Sequence, residues 1–257
     1  MSQLSYISPK ARIGANVKIE PFVTIYDDVV IGDNTWIGPT ATIFDGARIG
    51  NNCKIFPGAV ISPVPQDLKY AGEQTTVEIG DNTIIREQAT IHRGTKDKFK
   101  TVIGKNCLIM NGVHIGHDCT IGDHVIIAGG SGLAGHCVVE DFAIIEAFVG
   151  VQQFVRIGSY AFVAGASLVR KNVPPYVKAA KEPLAYVGVN SVGLKRKGFT
   201  DEKVREIEDI YRTLYVKGYN ISNALAIIEV EAPASKEKDQ IVNFIKNSVN
   251  GIIRGLT

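Results

Sequence analysis

The chain is short of cysteine, short of histidine and nearly neutral, and each shortage removes a class of function. Of its 257 residues only four are cysteine and five histidine. Cys53, Cys107, Cys119 and Cys137 stand far apart with no CxxC pair, so neither a disulfide framework nor a cysteine-built metal site is expected. The net charge is +2, and the densest basic block is Lys195-Arg196-Lys197. That leaves no electrostatic footprint for nucleic acid or an acidic membrane surface. No apolar run approaches the ~18 residues that would span a bilayer, so no integral membrane segment is expected. The opening "MSQLSYISPKARIG" lacks the apolar core of a secretory signal, and the cytoplasm is the expected compartment.

What the chain does have is a period of six. Stepping by six from Ile13 to Val169 gives 27 positions, of which 24 are Ile, Leu or Val. The three failures, Asp67, Glu73 and Asp97, are grouped, so they mark excursions from a continuous pattern, near 65–78 and 94–102. Four residues after each aliphatic stands a small or β-branched residue, and glycine often follows the aliphatic directly. A fixed period of this kind is the mark of a repeat architecture. Here it is the hexapeptide repeat, whose short strands wind into a parallel β-helix with the aliphatics inside. Each buried aliphatic contributes about 1.5–3 kcal/mol gross. All four cysteines fall at the small inward position, which assigns them to core packing.

The rhythm stops at "NVPPYV" and helical signals take over. Thr200 is a candidate N-cap, followed by Asp201 and Glu202 in the first turn and by Val204, Ile207, Ile210 and Leu214 on one face, with Gly218 as the stop. Further helices are expected over 221–230 and 236–249. The chain therefore divides into a coil over 1–174 and a helical domain over 175–257.

The repeat resembles that of hexapeptide-repeat acyltransferases. The resemblance implies a left-handed parallel β-helix, triangular in section, with three hexapeptides per coil and an α-helical domain after it. On that geometry both excursions leave at one corner, after Ile61 and Ile91. One coil above His117 lies Gly135, then Gln153; one coil above Asp118 lies His136. These five should form one outward patch, with the Asp67 and Lys69 loop within reach. Gly129, Ala147 and Gly165 stack on another wall, a strip of small residues that suits an extended apolar chain. A histidine beside an aspartate is the pair expected when a carboxylate orients a general base. His92 stacks near Gly116, below the patch, and is left open between the two roles; His124 is read as solvated surface.

The segments "PQDLKYAGE", "IHRGT", "HIGHDCTIG", "LAGH", "QQF", "VPPYV" and "GVNSVGLKRKGF" occur in this order over nearly the whole chain. Together they resemble the UDP-N-acetylglucosamine O-acyltransferase family, which opens lipid A synthesis. The resemblance implies transfer of an (R)-3-hydroxyacyl chain from acyl carrier protein to the 3-hydroxyl of UDP-N-acetylglucosamine, with no cofactor and no metal. It implies His117 as base, Asp118 as its partner and the Gly135 N–H as oxyanion donor. It assigns Asp67, Lys69, His114, His136, Gln153, Asn190 and Arg196 to substrate binding, with His114 at the neighbouring corner. It implies that Gly165 stands at the foot of the acyl groove, for which the strip of Gly129, Ala147 and Gly165 is the candidate, and that the assembly is a homotrimer with sites between subunits. Gln152, Val192, Lys197 and the Glu146-Ala147 pair depart from the family's best-known members, which opens acyl length and a 3-amino acceptor to question. Two other enzymes on this fold stay in view: the N-acyltransferase later in the same pathway, and a zinc carbonic anhydrase using His92, His114 and His117. A purely structural β-helix is disfavoured by the irregular outer faces and the two loops.

Overall fold

The structure, a computed structural model, describes residues 4–256. From Tyr6 to Ala180 the chain is wound from short strands, most of only two residues, each closed by a tight corner. Up to Leu168–Val169 the strands pair in parallel with the third strand before and the third after; with two later strands added to the last sheet, this gives three sheets of nine, eight and ten strands. We call these the first, second and third sheets in that order.

The period of six dictates this geometry. Alternation along a strand sends one residue of each pair outward and the next inward. In Thr24–Ile25, Thr42–Ile43 and Thr90–Ile91 the threonine is half-buried and the isoleucine fully buried. The inward residues stack rung on rung, as Ile61, Ile91, Ile115, Leu133, Val151 and Val169 do in the first sheet. The corners need backbone in the left-handed region, and asparagine reaches it at low cost. Asn34, Asn52, Asn82 and Asn106 hold φ of 55–59° at one such corner.

The register shows where residues leave the coil. A normal rung pairs residues eighteen apart, as Ile31 with Ile49. Ile61 pairs with Ile91, thirty on, and Ile91 with Ile115, twenty-four on. The two excursions thus remove twelve and six residues, and both fill the corner between first and second sheets. They occupy 62–75 and 92–99, starting and ending earlier than the expected 65–78 and 94–102. The reason is that the returning strands Thr76–Ile79 and Lys100–Ile103 are four residues long and pair with each other along their whole length.

The third sheet runs past residue 174. Val177–Ala180 adds one more parallel rung, and Ala185–Val189 folds back antiparallel beside it. Four helices follow: α1 (Ser191–Arg196), α2 (Asp201–Tyr215), α3 (Ile221–Glu231) and α4 (Lys236–Lys246). Thr200, Asn220 and Ser235 each accept a backbone N–H at the start of α2, α3 and α4. α4 stops three residues short of the expected 249, and α1 was not anticipated, one and a half turns being too short to show a period. Tyr211 of α2 is fully buried and its hydroxyl donates to the Pro175 carbonyl at 2.6 Å, tying the helices to the last corner.

All four cysteines are buried and unpaired. Burial pushes the Cys107 thiol up to about 11. We expect none of them to react with a polar disulfide reagent at mildly alkaline pH in the native protein, and all four to react once it is unfolded in urea. Labelling of the native protein at the unfolded rate would show that the ladder opens locally.

Candidate active site

His117 and Asp118 lie in the corner turn that follows His114–Ile115 of the first sheet. Asp118 takes the corner's left-handed position, with φ 59°. There its carboxylate turns back beside its own neighbour, and His117 Nδ1 donates to Asp118 Oδ2 at 2.8 Å. With Nδ1 carrying the proton, Nε2 keeps its lone pair free. The expected outward patch is in fact largely covered. Asp118 is fully buried and His117 only 8% exposed, because the second excursion folds over the corner. Thr95 and Lys98 of that excursion, given no role in the sequence reading, supply further donors to Asp118.

Gly135 sits one rung above His117. A Cβ at this position would fall 2.6 Å from His117 Cε1 and Nε2, so the imidazole edge packs directly on the glycine. The rung bond between them runs from His136 N–H to the His117 carbonyl, at 2.9 Å. Among the described residues the Gly135 N–H has no acceptor. Gln66, His92, His114, His117, Gly135 and Gln153 enclose a cavity of about 270 Å³. A second cavity, of about 500 Å³, is lined by Asp67, Lys69, Glu73, Lys96, Asp97 and His136, and Gln153 borders both.

His92, which the sequence left open, is thus part of the smaller cavity. Its Nδ1 donates to the Val64 carbonyl at 2.7 Å, which leaves Nε2 as an acceptor. His114 is on the flat face of the first sheet and not at a corner; its Nδ1 lies 2.9 Å from Thr90 Oγ1. His136 Nδ1 lies 3.2 Å from Asp97 Oδ2, and its ring stacks on Phe154. Asp67 accepts the Lys69 N–H at 2.9 Å and so shapes its own loop, while the Lys69 side chain is exposed. Glu73 joins the two excursions by accepting N–H groups from Ala71 and Lys96; its own backbone N–H foremost, and then these two, hold its carboxyl below the usual range.

Five expected site residues are not brought to these cavities within one protomer. Asn190 caps α1 and donates to the Tyr160 carbonyl at 3.0 Å, and Arg196 is exposed at the end of that helix. Gly129, Ala147 and Gly165 stack at the corner between third and first sheets, a full face away from His117. Their rungs are bonded as Phe148 N–H to the Gly129 carbonyl and Ala166 N–H to the Ala147 carbonyl. Glu146 folds back there to accept the Gly165 N–H at 2.9 Å.

The histidines weighed for a zinc anhydrase, His92, His114 and His117, share the smaller cavity, but within one protomer they are not a group with ring nitrogens within 4.8 Å of one another. Among the described residues the group whose donor atoms come within 4.8 Å of one another is His117, Asp118 and His136. Hydrogen bonding already occupies its carboxylate.

Comparison with known proteins follows the same outline. A family model described as UDP N-acetylglucosamine O-acyltransferase, domain 2, matches residues 172–253. A model of six bacterial transferase hexapeptide repeats matches 10–45, 28–63 and 100–135. The acyl-(acyl-carrier-protein)-UDP-N-acetylglucosamine O-acyltransferase of Sulfurihydrogenibium sp. is 48% identical over 247 residues, covering 96% of this chain and 91% of that one. Its counterpart in Thiobacillus denitrificans is 40% identical over 249 residues, with 96% of both chains covered. The crystal structure of a UDP-N-acetylglucosamine acyltransferase from Bacteroides fragilis superposes with a TM-score of 0.97 at 49% identity, covering 99% of this chain and all of that one. That from Francisella novicida gives 0.95 at 44% identity, over 98% and 93%. The fold is accordingly the left-handed parallel β-helix with a helical C-terminal part.

The electrostatics of the corner make a testable pattern. Burial holds His92, His114 and His136 below the ordinary histidine value of 6.5, in His136 against the pull of Asp118 and Asp97. Burial alone would raise Asp118, but hydrogen bonds from His117 and Thr95 outweigh it and hold the carboxyl low. Both kinds of shift depress the folded-state value, so their contribution to stability is complete above 6.5 and is lost on acidification. It fades first as the unfolded histidines protonate, then as pH falls through the range of Asp118. NMR titration should find these three histidines protonating below 6.5, and the urea midpoint should fall steadily with pH. Histidines titrating at 6.5 or above would show a hydrated corner.

Proposed function

As the chain belongs to the UDP-N-acetylglucosamine O-acyltransferase family, we propose that it moves an (R)-3-hydroxyacyl chain from acyl carrier protein to the 3-hydroxyl of UDP-N-acetylglucosamine, with His117 as general base. This is the first step of lipid A synthesis, and the reading places it in the cytoplasm. The observation that carries the mechanism is the arrangement at one corner. A buried carboxylate fixes the proton on His117 Nδ1, and a free backbone N–H stands one rung above the imidazole.

The chemistry follows from those atoms. Nε2 takes the proton of the sugar 3-hydroxyl as its oxygen attacks the thioester carbonyl carbon. Negative charge moves to the carbonyl oxygen, where the Gly135 N–H donates to it. Collapse of the tetrahedral intermediate forms the ester, breaks the carbon–sulfur bond and returns the proton from the imidazolium to the departing thiolate. Asp118 stabilises the imidazolium throughout. A positioned base is worth about 10²–10⁴-fold, and an oxyanion donor about 2.7–4 kcal/mol.

The two cavities suit the two ends of the acceptor. The smaller would take the sugar beside His117, with His92, His114 and Gln153 around it. The larger would take the diphosphate and uridine, with Lys69 as the cation and Asp67 and His136 as polar partners. Asn190, Arg196 and the Gly129, Ala147 and Gly165 strip enter the site from a neighbouring subunit in the homotrimer we propose. Three sites would then lie between subunits, each with an acyl groove that Gly165 leaves open. In that groove Glu146 sets a carboxylate beside Gly165, a local departure with a direct bearing on chain length.

The test is acyl transfer from 3-hydroxyacyl carrier protein to UDP-N-acetylglucosamine. Wild type should be active, and folded His117→Ala should lose about a hundredfold or more. Gly135→Ala should also fall sharply, since its Cβ would displace the imidazole. Wild type that acylates only the 3-amino sugar would overturn the acceptor, and a fully active His117→Ala would overturn the base.

A further inference from the structure

The "IHRGT" segment (Ile91–Thr95) carries part of the family resemblance, yet the mechanism gives its last residue no task. Thr95 is 6% exposed and lies in the second excursion. Its hydroxyl donates to Asp118 Oδ2 at 2.7 Å, and its backbone N–H donates to Asp118 Oδ1 at 3.0 Å. The Lys98 N–H reaches the same Oδ1 at 3.2 Å. We infer that Thr95 is the positioning residue that fixes Asp118, and through it His117, for acyl transfer. The inference rests on the reading of His117 as the base.

A carboxylate held at one oxygen alone can rotate and present its other oxygen to a partner. The fork made by Thr95 and Lys98 holds both Asp118 oxygens, so Oδ2 faces His117 Nδ1 in one orientation only. These donors are neutral. The Lys98 ammonium binds the Asp118 main-chain carbonyl at 3.0 Å and not the carboxylate. The carboxylate therefore keeps its full charge for the imidazolium that forms when the sugar hydroxyl is deprotonated.

Thr95 is itself fixed by its own loop. The Phe99 N–H donates to the Thr95 carbonyl at 2.7 Å, and the Asp97 N–H to Thr95 Oγ1 at 3.3 Å. Gly94 permits the closure: a Cβ there would fall 2.3 Å from the Lys100 backbone nitrogen. The hydroxyl is thus set by the excursion and delivered to the carboxylate, which separates positioning from mere contact.

The experiment compares Thr95→Val, which keeps the shape and loses the hydroxyl, with Thr95→Ser, which keeps the hydroxyl. Thr95→Ala carries the same expectation if the valine variant does not fold. In the loss variants kcat should fall about tenfold or more, a share of the ~10²–10⁴ a positioned base supplies. KM for UDP-N-acetylglucosamine should hold, Thr95→Ser should recover most of kcat, and the loss should vanish in a His117→Ala background. Folded Thr95→Val and Thr95→Ala with wild-type kcat would overturn the inference. So would equal losses in valine and serine variants, or a loss that persists in full without His117. An active His117→Ala single variant would instead remove the base reading, and it is measured independently of Thr95.

Discussion

The whole molecule hangs on the backbone hydrogen bonds that join each coil to the next. Because the rungs are bonded in register, residues eighteen apart are locked one above another wherever no excursion intervenes, whatever their side chains. The bond from the His136 N–H to the His117 carbonyl is one of these, and it puts Gly135 over the imidazole. It costs no dedicated packing, since the same bond recurs up the coil, as from the Phe154 N–H to the Gly135 carbonyl and from the Gly130 N–H to the Asn111 carbonyl. The excursions obey the same constraint. Residues can leave the coil only at a corner, where a rung ends, and the closing entropy of loops this short is modest. Both leave where the dyad lies, so the one irregular part of the surface becomes its roof.

That roof alters the chemistry beneath it. An exposed histidine next to an exposed aspartate would be screened by water and by its own motion. Under the second excursion the same pair has one orientation, and the buried carboxylate stays charged because four donors face it. Burial pushes the surrounding histidines toward their neutral forms. The corner thus offers neutral imidazoles around one fixed negative charge, the condition in which a base can accept a proton and have the product stabilised.

Much of this was readable from spacing. The period of six located the inward ladder and the two excursions, and the three hexapeptides per coil that the family resemblance implies put Gly135 and His136 over the dyad. What escaped lies off the period. Thr95 and Lys98 sit inside an excursion, where no repeat phase says which way a side chain points. His114 has the phase of a strand residue and so belongs to a face, not to the corner where it was expected. Asn190 caps, and Arg196 ends, a six-residue helix with no periodic signal, and within one protomer neither reaches the corner. The small-residue strip was correctly stacked, but a stack says nothing of which corner it occupies relative to another.

The coil's indifference to what lies more than one rung away has a consequence for its ancestry. Copying or deleting a whole coil of eighteen residues preserves every wall, corner and inward position on both sides of the change. Below Ile61 or above Phe154 such an event would lengthen or shorten the shaft and leave the corner with its two cavities intact. A change of six residues would instead rotate everything beyond it by one face, carrying His117 away from its roof. Lineages of this architecture can therefore drift in height by whole storeys, while the few coils around the dyad admit no slippage at all.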